Sequence, residues 1–497
     1  MLYGLKKLNR FDKQEYGFLA PYNSSIPQLY GLPKIHKPAI PMRIIVDFRY
    51  SAFYNLAKYE AGILQVVASG HTTTLRNSYQ IAEELKTLVI PPGYHMVSFD
   101  VVSLFTNVPI QDTLLYIEDC MKNNQNWKSK TKLSLQEFMR LLNLTMKNNY
   151  FIWKKNVYRQ KTGTPMGSPV SPVFAELFLQ KLENSLVKGN SNIHFWRRLV
   201  DDVFAVIPYD KTTSILDELN SFHPAIQFTI EEESNHTLPF LDVLATRDDN
   251  GNIHRNVYRK KTHSGRYLNF DSYHPMCHKL SVIDSLSFRA FIICDTEFLQ
   301  SELDEIRRQL VRNGYPHRLI TERFQRMELR ASQWTIHRNL INEEDRKIRI
   351  ILPYMGPITT RITCYLRVKL DCNFGFHPGQ KLNSLLNNAK EKRTRQSYGI
   401  YKLTCSCKST YVGETKRSIE QRDYEHHHQL TSAVNDHLNE FPSHHVVSAS
   451  LIERENRTFH RKFKEHLWII KCGDMNRNNG QHINSIWTAT LIPLLEH

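Results

Sequence analysis

The stretch FWRRLVDDVFAV (195–206) sets two adjacent aspartates, Asp201 and Asp202, between apolar runs, with Leu199 and Val200 before them and Val203 to Val206 after. Apolar runs meeting at an acidic pair read as a β-hairpin with the carboxylates at its tip. An acidic turn is commonly just solvated, but strands this apolar hold the pair against a packed core. A second strand of the same kind lies upstream: HMVSFDVVSLFTNVPI (95–110) delivers a single aspartate, Asp100, ahead of Phe105 and a turn at Asn107 to Pro109. Laid side by side, the two strands would bring Asp100 next to Asp201. Crowded carboxylates repel one another and burial worsens the repulsion, so such a site is unfavourable unless cations neutralise it. Hard divalent ions with oxygen ligands, Mg²⁺ above all, do so, and two of them can clamp the attacking and leaving oxygens of phosphoryl transfer.

The whole chain suits a polyanionic partner. Its 497 residues hold 65 Lys+Arg against 49 Asp+Glu, a formal charge of +16, which favours nucleic acid first and an anionic membrane surface second. A hydrophobic content of 41% with 11% aromatic residues is that of a globular protein, and the length implies two or three domains. No apolar run reaches the roughly 18 residues of a spanning helix and MLYGLKKLNRFDKQEYGF does not resemble a signal peptide, so a soluble, intracellular protein is expected. The eight cysteines are sparse, which argues against a disulfide framework. Only Cys405 and Cys407 form a close pair.

Three stretches differ in pattern. Residues 25–290 mix short β-like runs (RIIV at 43–46, HMVSFDVVSLF, YRQKTGTPMG, VDDVFAVI, IQFTIEEE, LPFLDVLATR) with helical ones such as IQDTLLYIEDCMK and LQEFMRLLNLTMK, which predicts an α+β domain. From Thr296 to Arg349, Leu299, Leu303, Ile306 and Leu310 fall at helix spacing, and Asn313-Gly314-Tyr315-Pro316 ends the first run. A polar, basic segment at 387–397, NNAKEKRTRQS, reads as a linker before a small separate unit at 398–497.

Two further stretches bear on the acidic strands. GTPMGSPVSPVFAELFLQKLE (163–183) runs from a Gly/Pro/Ser loop into an amphipathic helix. Small residues such as Gly167 and Ser168 would let a base pair approach the backbone; Ser168 or Ser171 could equally be a helix cap. In PQLYGLPKIHKPAIPMRIIVDFRYS (27–51), Lys34, Lys37 and Arg43 are either scattered surface cations or a clamp for a triphosphate.

The ordered set LYGLPKIHKP, PMRIIV, FDVVSLFTNVP, GTPMGSPVSP, RLVDDVFAV and FTIEEE…LPFLDV resembles the reverse transcriptase of Penelope-like retroelements, over about Leu29 to Asp271. The resemblance implies a right-hand polymerase: an N-terminal segment (1–24) short for such proteins, which raises truncation, fingers and palm (25–290), a helical thumb (291–350), and a connector with basic linker (351–397). It also implies that Asp100 and Asp201 ligate Mg²⁺, that Asp202 is the third acid, and that Lys34 and Arg43 meet the incoming deoxynucleoside triphosphate. Phe105 matches the bulky residue that blocks a ribose 2′-hydroxyl, although simple core packing explains it as well. Met166 stands where many reverse transcriptases have Gln, as the Penelope-like pattern has it.

The last hundred residues carry a second constellation. YGIYKLTCSCKSTYVGETKRSIEQRDYEH (398–426) has two tyrosine-bearing strands, with Tyr401 and Tyr411 ten apart, then Arg422 and His426 on one helix face; RKFKEHLWII follows with Glu465. This set resembles a GIY-YIG endonuclease in a YVG variant. Cutting a phosphodiester needs an activated water, a cation against the developing charge and a metal for the leaving oxygen. The resemblance implies Tyr401 as or near the general base, Tyr411 and His426 assisting, Arg422 stabilising the phosphorane and Glu465 holding one Mg²⁺. Cys405 and Cys407 could be two buried small residues, or, with His437 and His444 or His445, a structural Zn²⁺ site as in Penelope-like endonucleases.

Together these resemblances imply an RNA-directed DNA polymerase coupled to a DNA-nicking endonuclease, acting on RNA template, DNA primer and target in the nucleus, with no membrane role. Two other readings stand beside it: a telomerase-like polymerase whose C-terminal unit only binds DNA, and a decayed or domesticated copy that binds nucleic acid without catalysis.

Overall fold

A computed structural model describes residues 1–21, 24–35, 39–154, 156–334, 349–378, 399–428, 432–455, 457–477, 480, 491–492 and 495. The linker expected at 387–397, and Lys37, lie outside the described residues. The chain divides into two compact units, residues 1–379 and 380–497. In chain order the strands of the first are β1 (Gln28–Pro33), β2 (Met42–Asp47), β3 (Tyr94–Val101), β4 (Tyr150–Trp153), β5 (Asn156–Arg159), β6 (Phe195–Leu199), β7 (Asp202–Pro208), β8 (Phe228–Glu232), β9 (Thr237–Phe240), β10 (Val243–Arg247), β11 (Ile253–Val257), β12 (Arg349–Tyr354) and β13 (Asn373–Pro378).

The two acidic strands do pair. β3 and β7 are antiparallel neighbours at the centre of a four-stranded sheet of order β6-β7-β3-β8. Their continuous apolar runs follow from burial on both faces. Val97, Phe99 and Val101 of β3 with Val203, Ala205 and Ile207 of β7 enter one core, against the helices Tyr54–Ala68, Ile110–Asn123, Leu135–Lys147 and Ser171–Leu186. Met96, Phe204 and Val206 enter the other, with β9 to β11 and the helices Ser78–Leu85, Met276–Ile293, Thr296–Arg312 and His317–Ser332. Each such side chain contributes about 1.5–3 kcal/mol on burial, which fixes the register and therefore the height of the acids at the strand ends. A second sheet, β2-β1-β4-β5, carries the Arg43 segment.

Some boundaries differ from expectation. LPFLDVLATR reads as one strand but folds as two, β9 and β10, because Leu241 turns the chain at φ 53°, a left-handed conformation that no glycine announces. In YRQKTGTPMG the strand ends at Arg159, and the rest is loop. Phe105 lies on a short helix, Leu104–Asn107, rather than in the strand. The helical region begins at Met276, so a boundary at 290/291 would cut the helix Met276–Ile293. Ile283, Leu286, Ala290 and Ile293 form its buried stripe, but Lys279 in the same stripe and the small Ala290 weaken the apolar signal. β12 and β13 pair in parallel through the helix Pro357–Leu370.

In the second unit, β14 (Gly399–Cys405), β15 (Thr410–Thr415) and β16 (Val446–Arg454) form an antiparallel sheet of order β15-β14-β16. Alternation along β14 serves two small cores. Ile400 packs with Trp468 and Ile469 of the helix Thr458–Cys472, whereas Tyr401 and Leu403 pack with Val434 on the opposite face.

Candidate functional site

The β6–β7 hairpin closes with Leu199 opposite Asp202, leaving Val200 and Asp201 as its two-residue turn. Val200 sits at φ 59°, an unfavourable place for a β-branched residue. Arg198 holds it there. Its guanidinium, 1% exposed, donates to the Val200 carbonyl at 3.1 Å and forms paired bonds to Glu176 (2.7 and 3.0 Å) and Glu183 (2.7 and 3.0 Å) of the helix Ser171–Leu186. Bidentate geometry and two carboxylates offset the desolvation of the buried cation. Nothing in the local pattern marks Arg198; the signal lies in two acids seven apart on one helix, legible only once the hairpin is placed against it.

Asp202 is the residue directly opposite Asp100 in the β3–β7 ladder, so their side chains share a face of the sheet. Asp201 lies one step beyond, its carbonyl accepting from the Val101 amide at 3.3 Å. Burial pushes the Asp201 carboxyl above the usual carboxylate range; the charge on Asp100 adds to the rise, and Arg43 and Lys34 pull it back. Asp100, Arg43 and Lys34 thus each lie within electrostatic reach of Asp201. Arg43 lies exposed on β2 opposite Leu32, and Lys34 is half-buried just past β1.

The Gly/Pro/Ser loop is fastened to both neighbours of this group. The Thr164 amide donates to the Phe105 carbonyl at 2.6 Å, and the Val46 amide of β2 to the Met166 carbonyl at 2.9 Å. Gly167, at φ 127°, backs onto the Val46 carbonyl so closely that any Cβ would collide with it. Neither serine caps the following helix: Ser171 donates its hydroxyl to the Pro165 carbonyl at 2.9 Å, and the buried Ser168 hydroxyl finds no partner among the described residues. Phe105 is half-buried against the first core. The donor set of three carboxylates is chemically apt for Mg²⁺.

The second unit assembles its predicted residues more tightly. Tyr401, fully buried, shares a 2.7 Å hydrogen bond with His426 Nε2, and His426 Nδ1 shares another of 2.7 Å with the Ser432 hydroxyl. With the proton on Nδ1, the imidazole donates to Ser432 and accepts from Tyr401. Burial holds the His426 imidazole down at about 4 and pushes the Tyr401 hydroxyl up, so both are neutral at pH 7. Tyr411 lies 4.6 Å, ring to ring, from His426, and the Arg422 guanidinium 5.8 Å from the Tyr401 ring. Arg422 donates to Glu425 at 2.6 Å, while its buried Nε finds no partner among the described residues. Burial raises the Tyr411 hydroxyl too, and the Glu465 charge adds to it. Glu465 accepts from the Glu414 amide at 2.9 Å, and burial raises its carboxyl. Gly413 stands opposite Tyr401 because a Cβ there would come within 2.6 Å of the phenol oxygen. Ser432, six residues past His426, escapes a sequence reading, since a cap serine looks the same whether or not it also holds a histidine.

One metal-ligating group is drawn together beside this site. The ligand atoms of Cys405, Cys407, His437 and His444 all lie within 4.8 Å of one another, the only group of three or more so close among the described residues. His444 is therefore the histidine that joins the set; His445 instead uses its backbone amide, on the Ser406 hydroxyl. Two thiols and two imidazoles at this separation fit a tetrahedral Zn²⁺. The three aspartates of the first unit do not converge that tightly.

A family model described as an animal helix-turn-helix domain matches residues 266–325, which span the helices Met276–Ile293 and Thr296–Arg312. Among solved structures, the chain is similar to telomerases and RNA-dependent RNA polymerases. Telomerase from Candida albicans, solved with a fragment of telomeric RNA, matches over 67% of this chain and 64% of its own, less than two thirds of its length, at 11% identity and a TM-score of 0.45. Telomerase from Candida tropicalis matches over 62% and 59% at 14% identity and 0.38. The Sicinivirus 3Dpol RNA-dependent RNA polymerase matches over 59% and 64% at 14% and 0.38. No curated protein sequence matches the chain. No helix among the described residues is long and apolar enough to cross a membrane.

Proposed function

We propose that this chain is an RNA-directed DNA polymerase joined to a DNA-nicking endonuclease, copying a retroelement RNA from a nick in nuclear DNA. The observation that carries the proposal is that Asp202 stands opposite Asp100 while Asp201, at the hairpin turn, feels the charges of Asp100, Arg43 and Lys34, residues from three separate stretches. Divalent cations bound by Asp100 and Asp201 would supply charge neutralisation at the attacking and leaving oxygens. Arg43 and Lys34 would hold the triphosphate with its α-phosphorus toward the primer 3′-hydroxyl; as the oxygen–phosphorus bond forms, pyrophosphate leaves and the hydroxyl proton passes to solvent. The Gly167 backbone gives the nascent base pair a surface without side-chain bulk.

In the second unit, Tyr401 takes a proton from the attacking water while passing its own to His426 Nε2. A neutral histidine is needed for that step, and burial keeps it neutral. Arg422, with an unpaired buried Nε, faces the developing phosphorane charge, and Glu465 would hold the cation that steadies the leaving oxygen. Cys405, Cys407, His437 and His444 would hold Zn²⁺ and fix the loop between β14 and β15 to the helix Ala433–Glu440 and the turn after it.

Two assays on the purified chain test the proposal: RNA-templated primer extension and nicking of supercoiled plasmid, both with Mg²⁺. Both activities are expected. Extension without nicking would leave a polymerase with a DNA-binding appendage, and the absence of extension would overturn the polymerase assignment.

A further inference from the structure

The sheet that carries Arg43 has a second notable composition. Between Glu15 and Asp47, and again between Glu137 and Glu176, the chain has no acidic residue at all; the second interval holds six Lys and Arg. These intervals supply the sheet β2-β1-β4-β5 except Asp47, the last residue of β2, which Arg49 pairs. β5 is its edge strand, and every residue of it is exposed. Across the β4–β5 hairpin, Phe151 stands opposite Tyr158, their rings stacked at 5.7 Å with planes 16° apart, and Trp153 sits diagonally at 6.2 Å from Tyr158. Phe151 anchors the row on the first core, whereas Tyr158 and Trp153 are 39% and 46% exposed. The Lys154 ammonium lies 4.8 Å from the Trp153 ring centroid, and Arg159 follows Tyr158.

Exposed aromatics normally cost solubility, and a basic hairpin free of acids forgoes internal ion pairs. Together the two features match what a single strand of nucleic acid offers, unpaired base faces to stack and phosphates to neutralise. A duplex hides its base faces and would use only the charge. A protein partner would want acidic residues on its own side and gives no reason for exposed rings clustered on one basic hairpin.

We infer that the β4–β5 hairpin is a stacking platform for a single-stranded segment of the RNA template, at the edge of its sheet opposite the Arg43 strand. The identity of the strand rests on the polymerase reading; the stacking surface does not.

The test is equilibrium binding of a labelled single-stranded RNA to the full chain at fixed salt, without nucleotides or divalent metal, followed by anisotropy. Trp153→Ala and Tyr158→Ala are each expected to weaken binding about tenfold, with Trp153→Phe close to wild type. Affinity for a duplex of equal length should change less than about twofold, and the salt slope should not change, because no charge is removed. Both residues are surface-exposed, and circular dichroism checks that the fold is kept. Single-strand affinity unchanged in the double alanine variant, or an equal loss on duplex, would overturn the stacking platform. Tighter binding of single-stranded DNA than of RNA would overturn the template assignment. Failure of the polymerase reading is seen separately, as wild-type chain that binds RNA but extends no primer.

Discussion

The two candidate sites are built on opposite principles. The hairpin site of the first unit gathers charges: Asp100 and Asp202 paired near their strand ends, Asp201 in the turn, its carboxyl raised by burial and by Asp100, and the cations Arg43 of β2 and Lys34 just past β1. The site of the second unit is centred on neutral groups, a buried phenol and a buried imidazole already joined by a 2.7 Å hydrogen bond, with Arg422 and Glu465 beside them. A site made of like charges does its work only with bound cations and an anionic substrate. A site made of neutral hydrogen-bonded groups is set before anything binds, and its sensitivity is to protons.

The largest effect should come from the charged site. Asp201→Asn should lower RNA-templated extension by at least about a thousandfold, the order expected when several kcal/mol of cation-mediated stabilisation is lost, and leave plasmid nicking unchanged. Asp202→Asn should be less absolute. Because Asp202 faces Asp100 in the ladder while Asp201 lies at the turn, the ratio of the two effects, read by single-turnover extension, sharpens which acids are essential. For the neutral site, Arg422→Ala should lower nicking about 10²- to 10³-fold with extension intact; coupled loss of both activities would break the separation.

Below these comes Arg198→Met, which leaves the buried Glu183 and the half-buried Glu176 without their cation. It should destabilise the first unit by about 3–5 kcal/mol, read as faster hydrogen exchange in β6 and β7, with the second unit unaffected. The smallest effect is that of pH. Folded His426 titrates at about 4 and the unfolded imidazole near 6.5, so between these values the unfolded chain binds the extra proton. Stability of the second unit is therefore full above about pH 6.5 and falls as pH drops toward 4. Hydrogen exchange in β14 should show this slope, and His426→Asn should flatten it.

How far the sequence reaches depends on the range of the interactions. Within one element it reaches well: continuous apolar runs give β3 and β7, and four-residue spacing puts Arg422 and His426 on the helix Ile419–His428. The pairing of β3 with β7 follows from two matching strands that each end in an acid. What fails is set by contacts between distant segments. Arg198 gains its meaning from Glu176 and Glu183, and Ser432 from a histidine brought in by packing. The choice of His444 over His445 turns on which imidazole reaches Cys407 and His437, a matter of loop geometry. The start of the helical region at Met276 was obscured by a lysine in its buried stripe.

The account's central claim is that one chain cuts DNA and copies RNA from the cut. The most direct measurement supplies supercoiled plasmid, template RNA, labelled deoxynucleotides and Mg²⁺ together, and asks whether label becomes covalently attached to the plasmid at the nick. The wild-type chain should attach it; Asp201→Asn should nick without labelling; Arg422→Ala should label only a plasmid nicked beforehand. Labelling of intact plasmid by Arg422→Ala, or labelling by Asp201→Asn, would contradict the claim.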